Sequence, residues 1–177
     1  AYGINKHNFH AGRVRSLDCS HDGEWIFSGS GSNQKNLFLW HLPSNRIVEL
    51  IPPKEGWIHA VAFHPTDANL VASAGDHTEI HLWDIAQKKV IRIFSGHSSS
   101  IWTISFTPDG RNLVSGGKIA RIWNTETGEM IGVLDGHKNR VRALDISPDG
   151  RFVLTGSQDE TVILWEMETR TQIKKFQ

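Results

Sequence analysis

Four of the seven tryptophans in this chain of 177 residues recur at a nearly constant spacing. They are Trp40, Trp83, Trp123 and Trp165, and the intervals between them are 43, 40 and 42 residues. Self-similarity with a period of about forty residues is typical of repeat architectures, in which each repeat is one supersecondary unit that packs against its neighbours. The spacing therefore predicts four consecutive copies of one structural unit.

The fourth unit shows the secondary structure of the repeat most clearly. Apolar residues alternate over 141–146, as they do in a half-buried strand. Ser147-Pro148-Asp149-Gly150 is a tight-turn sequence, and a second strand is predicted after it at 152–155. A third strand at 161–165 and a short fourth strand at 172–176 follow. Each unit is therefore predicted to be a four-stranded antiparallel meander.

This pattern resembles the WD40 family, whose repeats each form one blade of a β-propeller. The resemblance extends over nearly the whole chain, although Trp83-Asp84 alone keeps the literal Trp-Asp pair. It implies an all-β fold, a β-propeller of four-stranded antiparallel WD40-type blades with four blades in this chain. We expect a single domain over 1–177, with blades at approximately 10–50, 54–94, 97–134 and 137–177 and a leader or partial strand at 1–9.

The resemblance also implies a buried hydrogen-bonded network in each blade, formed by a His, a Ser or Thr, an Asp and the repeated Trp. Such a network satisfies several buried polar groups together, so its role is structural rather than catalytic. Only the fourth unit keeps all four residue types. The second unit, for example, has Lys54 at the His position, and its Asp76 lies one residue before the expected Asp position. We expect the fourth blade to be the most rigid. The predicted network residues are His10, Ser28 and Trp40; Ser73 and Trp83; His97, Ser115 and Trp123; and His137, Thr155, Asp159 and Trp165.

Composition restricts the classes of function. Nineteen Lys plus Arg balance nineteen Asp plus Glu, so no overall basic field attracts nucleic acid or an anionic membrane. No apolar stretch approaches the roughly 18 residues that a membrane-spanning helix needs. The single cysteine, Cys19, cannot form an internal disulfide, which favours a reducing compartment. We therefore expect a cytoplasmic protein whose partners are neither membranes nor nucleic acids.

The sequence offers little support for metal binding or catalysis. His7 with His10, and His77 with His81, have a spacing that places both rings on one face of a strand. No cysteine or clustered carboxylate accompanies them, so we expect no metal site. Gly29-Ser30-Gly31 lacks the strand-to-helix context of a catalytic serine. We expect no catalytic residues, no cofactor and no enzyme activity.

The strongest functional signal lies where each first strand begins, which in propellers of this family is the rim of the central channel. The four entrance triplets at these positions differ between units; they are Arg13-Val14-Arg15, Trp57-Ile58-His59, Ser100-Ile101-Trp102 and Arg140-Val141-Arg142. The central apolar residue of each is expected to point into the blade, so that its neighbours reach the surface or the channel. Arginine pairs bidentately with carboxylate or phosphate, and tryptophan buries a large area, so both anchor interfaces. The alternative is that the tryptophans pack between blades and the arginines are merely solvated. The predicted partner-binding residues are Arg13, Arg15, Trp57, His59, Trp102, Arg140 and Arg142.

These observations favour a non-enzymatic scaffold that binds a protein or peptide partner, and the arginines favour an acidic or phosphorylated one. The main alternative is a structural or regulatory fragment of a larger multidomain protein with no binding activity of its own. A hydrolytic propeller enzyme is a third, more distant alternative.

The number of repeats predicts an assembly. The family usually closes its ring with seven or eight blades, and an open arc of four leaves two apolar sides in water. We expect two chains to pair as a homodimer that closes an eight-bladed ring. The alternatives are a closed four-bladed monomer and a longer parent chain that supplies the missing blades.

Overall fold

The computed structural model of the protein describes residues 9–177. All regular elements in this part of the chain are β-strands, arranged in four separate four-stranded sheets. In each sheet neighbouring strands are antiparallel and follow chain order, so each sheet is a meander. The expected all-β fold with four four-stranded blades is confirmed. Of the leader or partial strand predicted at 1–9, residues 1–8 lie outside the described part.

The strands are numbered in chain order, four to a blade. Blade 1 contains β1 (Arg13–Cys19), β2 (Trp25–Gly31), β3 (Leu37–His41) and β4 (Arg46–Glu49). Blade 2 contains β5 (Ile58–Phe63), β6 (Leu70–Gly75), β7 (Glu79–Asp84) and β8 (Lys89–Ser95). Blade 3 contains β9 (Thr103–Phe106), β10 (Asn112–Gly116), β11 (Ala120–Asn124) and β12 (Met130–Leu134). Blade 4 contains β13 (Val141–Ile146), β14 (Phe152–Ser157), β15 (Val162–Glu166) and β16 (Gln172–Phe176).

The turn between the first two strands of blade 3 shows how short polar sequences join these strands. The Thr107 hydroxyl donates a hydrogen bond of 2.6 Å to Asp109, which also accepts the backbone N–H of Arg111. Gly110 completes the turn with a φ of +72°, a conformation that disfavours residues with a Cβ. Blades 1 and 4 repeat the same hydroxyl, carboxylate and glycine in Ser20, Asp22 and Gly23 and in Ser147, Asp149 and Gly150.

The blades pack side by side, and the apolar core lies between them. The first strand of each blade contacts the first strand of the next, from β1 to β5, from β5 to β9 and from β9 to β13. Between blades 1 and 2, for example, Phe27 and Leu37 pack in one cluster with Ile58 and Phe63. Two similar clusters join blade 2 to blade 3 and blade 3 to blade 4. The described residues therefore form one arc held by three apolar junctions.

The two ends of the arc leave apolar side chains in water. Ile58, Ile101 and Val141, the central residues of three entrance triplets, are at most 1% exposed, as expected. The same expectation is wrong for Val14, which is 48% exposed. Its blade is the first of the described arc, so no preceding blade covers it. At the other end of the arc, on the face of blade 4 that points away from blade 3, Leu154 is 41% exposed.

Candidate partner-binding site

Corresponding positions in, or directly before, the four first strands form a row on the inner side of the arc. The third residue of each entrance triplet belongs to it, so each blade contributes one side chain. We call Arg15, His59, Trp102 and Arg142 the inner row. All four line one cavity of about 250 Å³. The repeat therefore places side chains that are far apart in sequence around one small volume.

Planar groups stack along the inner row. The ring of His59 lies nearly parallel to that of Trp102, with 4.0 Å between centroids and 18° between planes. The guanidinium carbon of Arg142 lies 3.7 Å from the centroid of the Trp102 ring. A cation this close to an indole is held by a cation–π interaction. Trp102 is thus in contact with a residue from the blade on each side of its own.

Arg15 is held in the same way at the other end of the row. Its guanidinium carbon lies 4.6 Å from the ring centroid of Trp57, which is 41% exposed. The Nε atom of Arg15 lies 2.6 Å from the point that a Cβ on Gly31 would occupy. Glycine at position 31 therefore gives the arginine side chain room to cross the neighbouring strand. A larger residue there would displace the guanidinium.

The structure brings together five of the seven predicted partner-binding residues, Arg15, Trp57, His59, Trp102 and Arg142. Arg13 and Arg140 are exposed and do not line the cavity of the inner row. Arg140 instead lines a separate cavity with Lys118 and Lys138.

The two arginines of the inner row carry unpaired charge. In residues 9–177 neither guanidinium forms an ion pair with a carboxylate. Burial lowers the pKa of His59, and the positive charges of Arg15 and Arg142 lower it further, although Asp76 acts in the opposite direction. His59 is therefore neutral at pH 7, and the cavity has a net positive field that comes from the arginines.

Asp76 belongs to this site, although the sequence placed it only as a displaced network residue. Its Oδ1 lies 2.8 Å from Nε2 of His59, and its Oδ2 accepts the backbone N–H of Trp57 at 3.2 Å. Asp76 directly follows β6, so the early turn directs its carboxylate toward the first strand. The sequence indicated this role only through the spacing from Ser73 to Asp76, which is one residue shorter than the spacing from Thr155 to Asp159. The shorter spacing leaves Asp76 outside the network of its own blade.

In blade 4 all four predicted network residues are connected. Nε2 of His137 lies 2.8 Å from the Thr155 hydroxyl, and the indole N–H of Trp165 donates to the same hydroxyl at 2.7 Å. Nδ1 of His137 lies 3.1 Å from Asp159. Asp159 also accepts the backbone N–H of Lys138 at 2.7 Å. The network thus ties the loop before β13 to the turn before β15.

The other blades form only parts of this network. In blade 3, Ser115 accepts the indole N–H of Trp123 at 2.8 Å and lies 2.7 Å from Nε2 of His97. Burial, together with the charge of Arg121, lowers the pKa of His97 to about 4. Blade 1 forms the same two contacts, at 2.8 Å each, among His10, Ser28 and Trp40, and blade 2 forms only the 2.9 Å bond from Trp83 to Ser73.

The histidines considered as metal ligands have other contacts. Nε2 of His77 lies 2.9 Å from the carbonyl oxygen of Lys54, and the buried His81 packs edge-on against Trp83. No cluster of three or more His, Cys, Asp or Glu side chains suited to a metal occurs in residues 9–177, and His7 lies outside them. The same residues contain no helix long and apolar enough to span a bilayer.

Comparison with known proteins identifies the repeat. The family model described as WD40, "WD domain, G-beta repeat", matches residues 4–41, 46–84, 88–124 and 128–166. A human protein, the U5 small nuclear ribonucleoprotein 40 kDa protein, is 33% identical over 72 residues. This alignment covers 41% of the present chain and 19% of that relative, so the chain matches only a small part of its length. Because the four family matches together span most of the sequence and each blade contains one repeated tryptophan, the chain belongs to the WD40 repeat family.

Proposed function

We propose that this chain is a non-enzymatic scaffold that binds an acidic or phosphorylated segment of a protein partner at the inner row. WD40 repeats imply a protein-interaction scaffold, and the named human relative belongs to a ribonucleoprotein particle. The observation that carries the finer proposal is the pair of arginines. Each guanidinium lies over an indole ring, neither is ion-paired in the described residues, and both line one cavity.

The chemistry of a stacked guanidinium favours an anionic ligand. Stacking uses the face of the group and leaves its N–H donors, which lie in the plane, able to bind a carboxylate or a phosphate in a bidentate manner. The aromatic contacts also limit the rotamers of both side chains, which reduces the entropy lost on binding. A volume of about 250 Å³ accommodates one or two side chains rather than a folded domain. The expected ligand is therefore a short anionic segment.

A peptide array tests this proposal directly. It should contain matched acidic, phosphorylated, basic and apolar peptides, and the protein should enrich the acidic or phosphorylated ones. The double variant Arg15→Ala/Arg142→Ala should lose this enrichment while its far-ultraviolet circular dichroism stays unchanged. Enrichment of basic or apolar peptides by the unchanged protein contradicts the proposal.

A matched control separates the site from overall charge. Arg46→Ala/Arg111→Ala removes the same two charges from exposed positions that do not line the cavity. It should keep the peptide preference. If both double variants lose binding equally, the arginines act through net charge and the inner row is not the site.

The alternative function is a structural or regulatory spacer. A spacer should tolerate simultaneous loss of Arg15, Trp102 and Arg142 with no change in its partners, whereas a binding platform should not. Retention of every partner by the triple variant in a pull-down with defined peptides favours the spacer.

We also propose that two chains pair to close an eight-bladed ring. Support comes from the two uncovered apolar ends of the described arc, where Val14 and Leu154 are 48% and 41% exposed. Light scattering should give twice the chain mass of 19.9 kDa. A single compact chain favours a closed four-bladed monomer, and heterogeneous aggregates favour a longer parent with further blades.

A further inference from the structure

A second cavity, of about 390 Å³, lies between blades 3 and 4 and is separate from the inner row. The loop that leads into β13 forms one side of it, and the turn between β10 and β11 forms the other. Because β9 and β13 contact each other, this is an internal junction of the described arc. We call this volume the junction cavity, and the residues that line it include Ser99, Lys118, Ile119, Lys138, Asn139 and Arg140.

The turn of blade 3 contributes a cation to the junction cavity and no carboxylate. The spacing from the network hydroxyl to the network tryptophan is eight residues in blade 3 and ten in blade 4. The shorter turn consists of residues 117–119 and contains no counterpart of Asp159, whose carboxylate binds the Lys138 N–H in blade 4. Lys118 occupies this turn and lines the cavity. Blade 3 therefore adds positive charge where blade 4 has a carboxylate.

Positive charge is in excess around the junction cavity. Lys118, Lys138 and Arg140 line it, and in residues 9–177 none of them forms an ion pair with a carboxylate. Asp135 also lines the cavity, so three cations against one carboxylate leave an excess of two positive charges. Asp159 contacts the same loop, but its carboxylate already accepts the N–H of Lys138 at 2.7 Å. The cavity thus favours a ligand with two negative charges.

A buried hydroxyl distinguishes the junction cavity from a group of surface lysines. Ser99 lines the cavity, and its Oγ is buried without a hydrogen-bond partner in residues 9–177. A buried polar group without a partner is unfavourable, and a ligand oxygen that accepts the hydroxyl hydrogen relieves this cost. Asn139 adds a second donor, since its Oδ1 accepts the N–H of Arg140 at 2.8 Å while its NH2 group makes no hydrogen bond within the described chain. The cavity therefore combines excess positive charge with unused neutral donors.

We propose that the junction cavity binds a phosphate monoester, with Lys118, Lys138 and Arg140 as its counter-ions and the Ser99 hydroxyl as a further donor. A phosphate monoester carries close to two negative charges at neutral pH and has three strong acceptor oxygens. Arginine binds phosphate in a bidentate manner, and lysine binds it as a point charge. A carboxylate, with one charge and two oxygens, satisfies less of this set of groups.

The carrier of the phosphate is a phosphorylated serine or threonine of a protein partner. Arg140 lies two residues before Arg142 of the inner row, and two residues of chain span at most about 7 Å. A segment bound at the inner row therefore passes close to the junction cavity. The half-buried Ile119 offers an apolar contact to the carbon atoms of the phosphorylated side chain. This choice of carrier rests on the proposed function, whereas the phosphate site itself does not require the inner row.

Two-dimensional ¹H–¹⁵N NMR of the full chain, at pH 7 and constant ionic strength, tests the site. The probes are a capped tripeptide with phosphoserine between two glycines, the same tripeptide with serine, inorganic phosphate, and inositol 1,4-bisphosphate as a soluble lipid headgroup. The phosphorylated tripeptide should shift the backbone signals of Ser99, Lys118 and Asn139 in a saturable manner. The unphosphorylated tripeptide should shift none of them. The indole signal of Trp102 reports separately on the inner row.

Two variants separate a built site from general attraction by charge. Ser99→Ala removes the hydroxyl without changing the charge and should weaken binding of the phosphorylated tripeptide about fivefold. Lys118→Ala should weaken it by at least as much, because it removes one counter-ion. Lys89→Ala is the matched control, since Lys89 is an exposed lysine on the outer strand of blade 2. It should bind like the unchanged chain.

The outcomes separate this inference from the proposed function. Shifts at Trp102 without shifts at Ser99 and Lys118 overturn the phosphate site and leave the inner row standing, whereas shifts at Ser99 and Lys118 in Arg15→Ala/Arg142→Ala support the phosphate site alone. Equal weakening in Lys89→Ala and Lys118→Ala, or unchanged binding in Ser99→Ala, shows attraction to charge only and contradicts the site. Tighter binding of inorganic phosphate or of the headgroup than of the phosphorylated tripeptide overturns the protein segment as the carrier.

Discussion

At the residue scale, the contacts of one carboxylate distinguish blade 4 from its neighbours. Asp159 accepts hydrogen bonds from the Lys138 N–H at 2.7 Å and the Thr161 hydroxyl at 2.6 Å, and it lies 3.1 Å from His137. Burial opposes the ionisation of Asp159, but the bonds from Thr161, Lys138 and His137 outweigh it and lower its pKa. Blade 3 has no equivalent, because its turn between β10 and β11 contains only residues 117–119.

Asp159→Ala should therefore destabilise the protein more than a typical polar substitution. Removal of the carboxylate leaves several donors without their acceptor, which costs about 1–3 kcal/mol. The measurement is the free energy of unfolding from urea denaturation. Asn124→Ala is the control, since the Asn124 side chain accepts one exposed bond from Thr127. Equal losses of unfolding free energy in the two variants would show that the network stabilises the protein no more than a single exposed hydrogen bond does.

His97 should make stability depend on pH between about 6.5 and 4. Its folded-state pKa is about 4, below its ordinary value of 6.5, because burial and Arg121 disfavour the charged ring. The folded state therefore binds fewer protons than the unfolded state in this window, and the free energy of unfolding falls as pH falls. The full effect is about 3 kcal/mol.

Urea denaturation at pH 7 and pH 5 measures this dependence. His97→Gln should reduce the loss of stability between the two pH values, whereas substitution of the exposed His21 by Gln should not. Part of the loss should persist in His97→Gln, because burial also lowers the pKa of His10, His59 and His81. If His97→Gln loses as much stability between pH 7 and pH 5 as the unchanged chain does, the pH dependence does not come from His97.

At the element scale, strands were more predictable than the contacts of turn residues. Alternating apolar residues predicted β13 with its observed limits, since the two-residue period indicates which side of a strand faces the core. The short fourth strand predicted after the last turn coincides with β16. The role of Asp76 was not predictable in this way. Whether a turn carboxylate joins the buried network of its blade or contacts the first strand of the same blade depends on a one-residue difference in turn length. Val14 was mispredicted for a similar reason, because its burial depends on a neighbouring blade.

The turn that contains Gly110 connects local conformation to the packing of two blades. A Cβ at Gly110 would lie 2.2 Å from ring atoms of His64, whose Nε2 is 3.1 Å from the Gly110 carbonyl oxygen. Gly23 has almost the same φ, +71°, but nothing lies within 4 Å of its missing Cβ. The two glycines therefore share the backbone requirement and differ in the tertiary contact.

Gly110→Ala should be more destabilising than Gly23→Ala. Both replacements force a Cβ into a left-handed conformation, at a cost of about 1–2 kcal/mol. Gly110→Ala adds the displacement of His64 from its buried place between blades 2 and 3, at a further cost of about 1–3 kcal/mol. Chemical denaturation measures both variants, and His64→Ala in the Gly110→Ala background should recover part of the added loss. Equal losses of stability in the two alanine variants would show that the backbone conformation accounts for the whole loss and that His64 adds nothing to it.

At the scale of the whole molecule, the stability of the repeat array depends on the apolar junctions between neighbouring blades. Each interior junction buries two apolar faces, and such arrays are stabilised by intrinsic terms for each repeat together with nearest-neighbour terms. The described arc has three internal junctions and two open faces, so blades 1 and 4 have one apolar neighbour each. Pairing through the open faces would give every blade two neighbours.

The melting temperature should therefore rise with protein concentration. When the folded state is a dimer and the unfolded state is not, mass action favours the folded state at higher concentration. For two chains of this size the expected rise is about 2 °C for each tenfold increase in concentration. Differential scanning calorimetry over two decades of concentration measures it. Leu154→Asp places a charge in the open face of blade 4 and should melt at a temperature independent of concentration over the range in which it is monomeric. Ile91→Asp, at a position that is 45% exposed on the outer strand of blade 2, should keep the dependence. A melting temperature of the unchanged chain that is constant over the whole range would show that its open faces are not joined in solution.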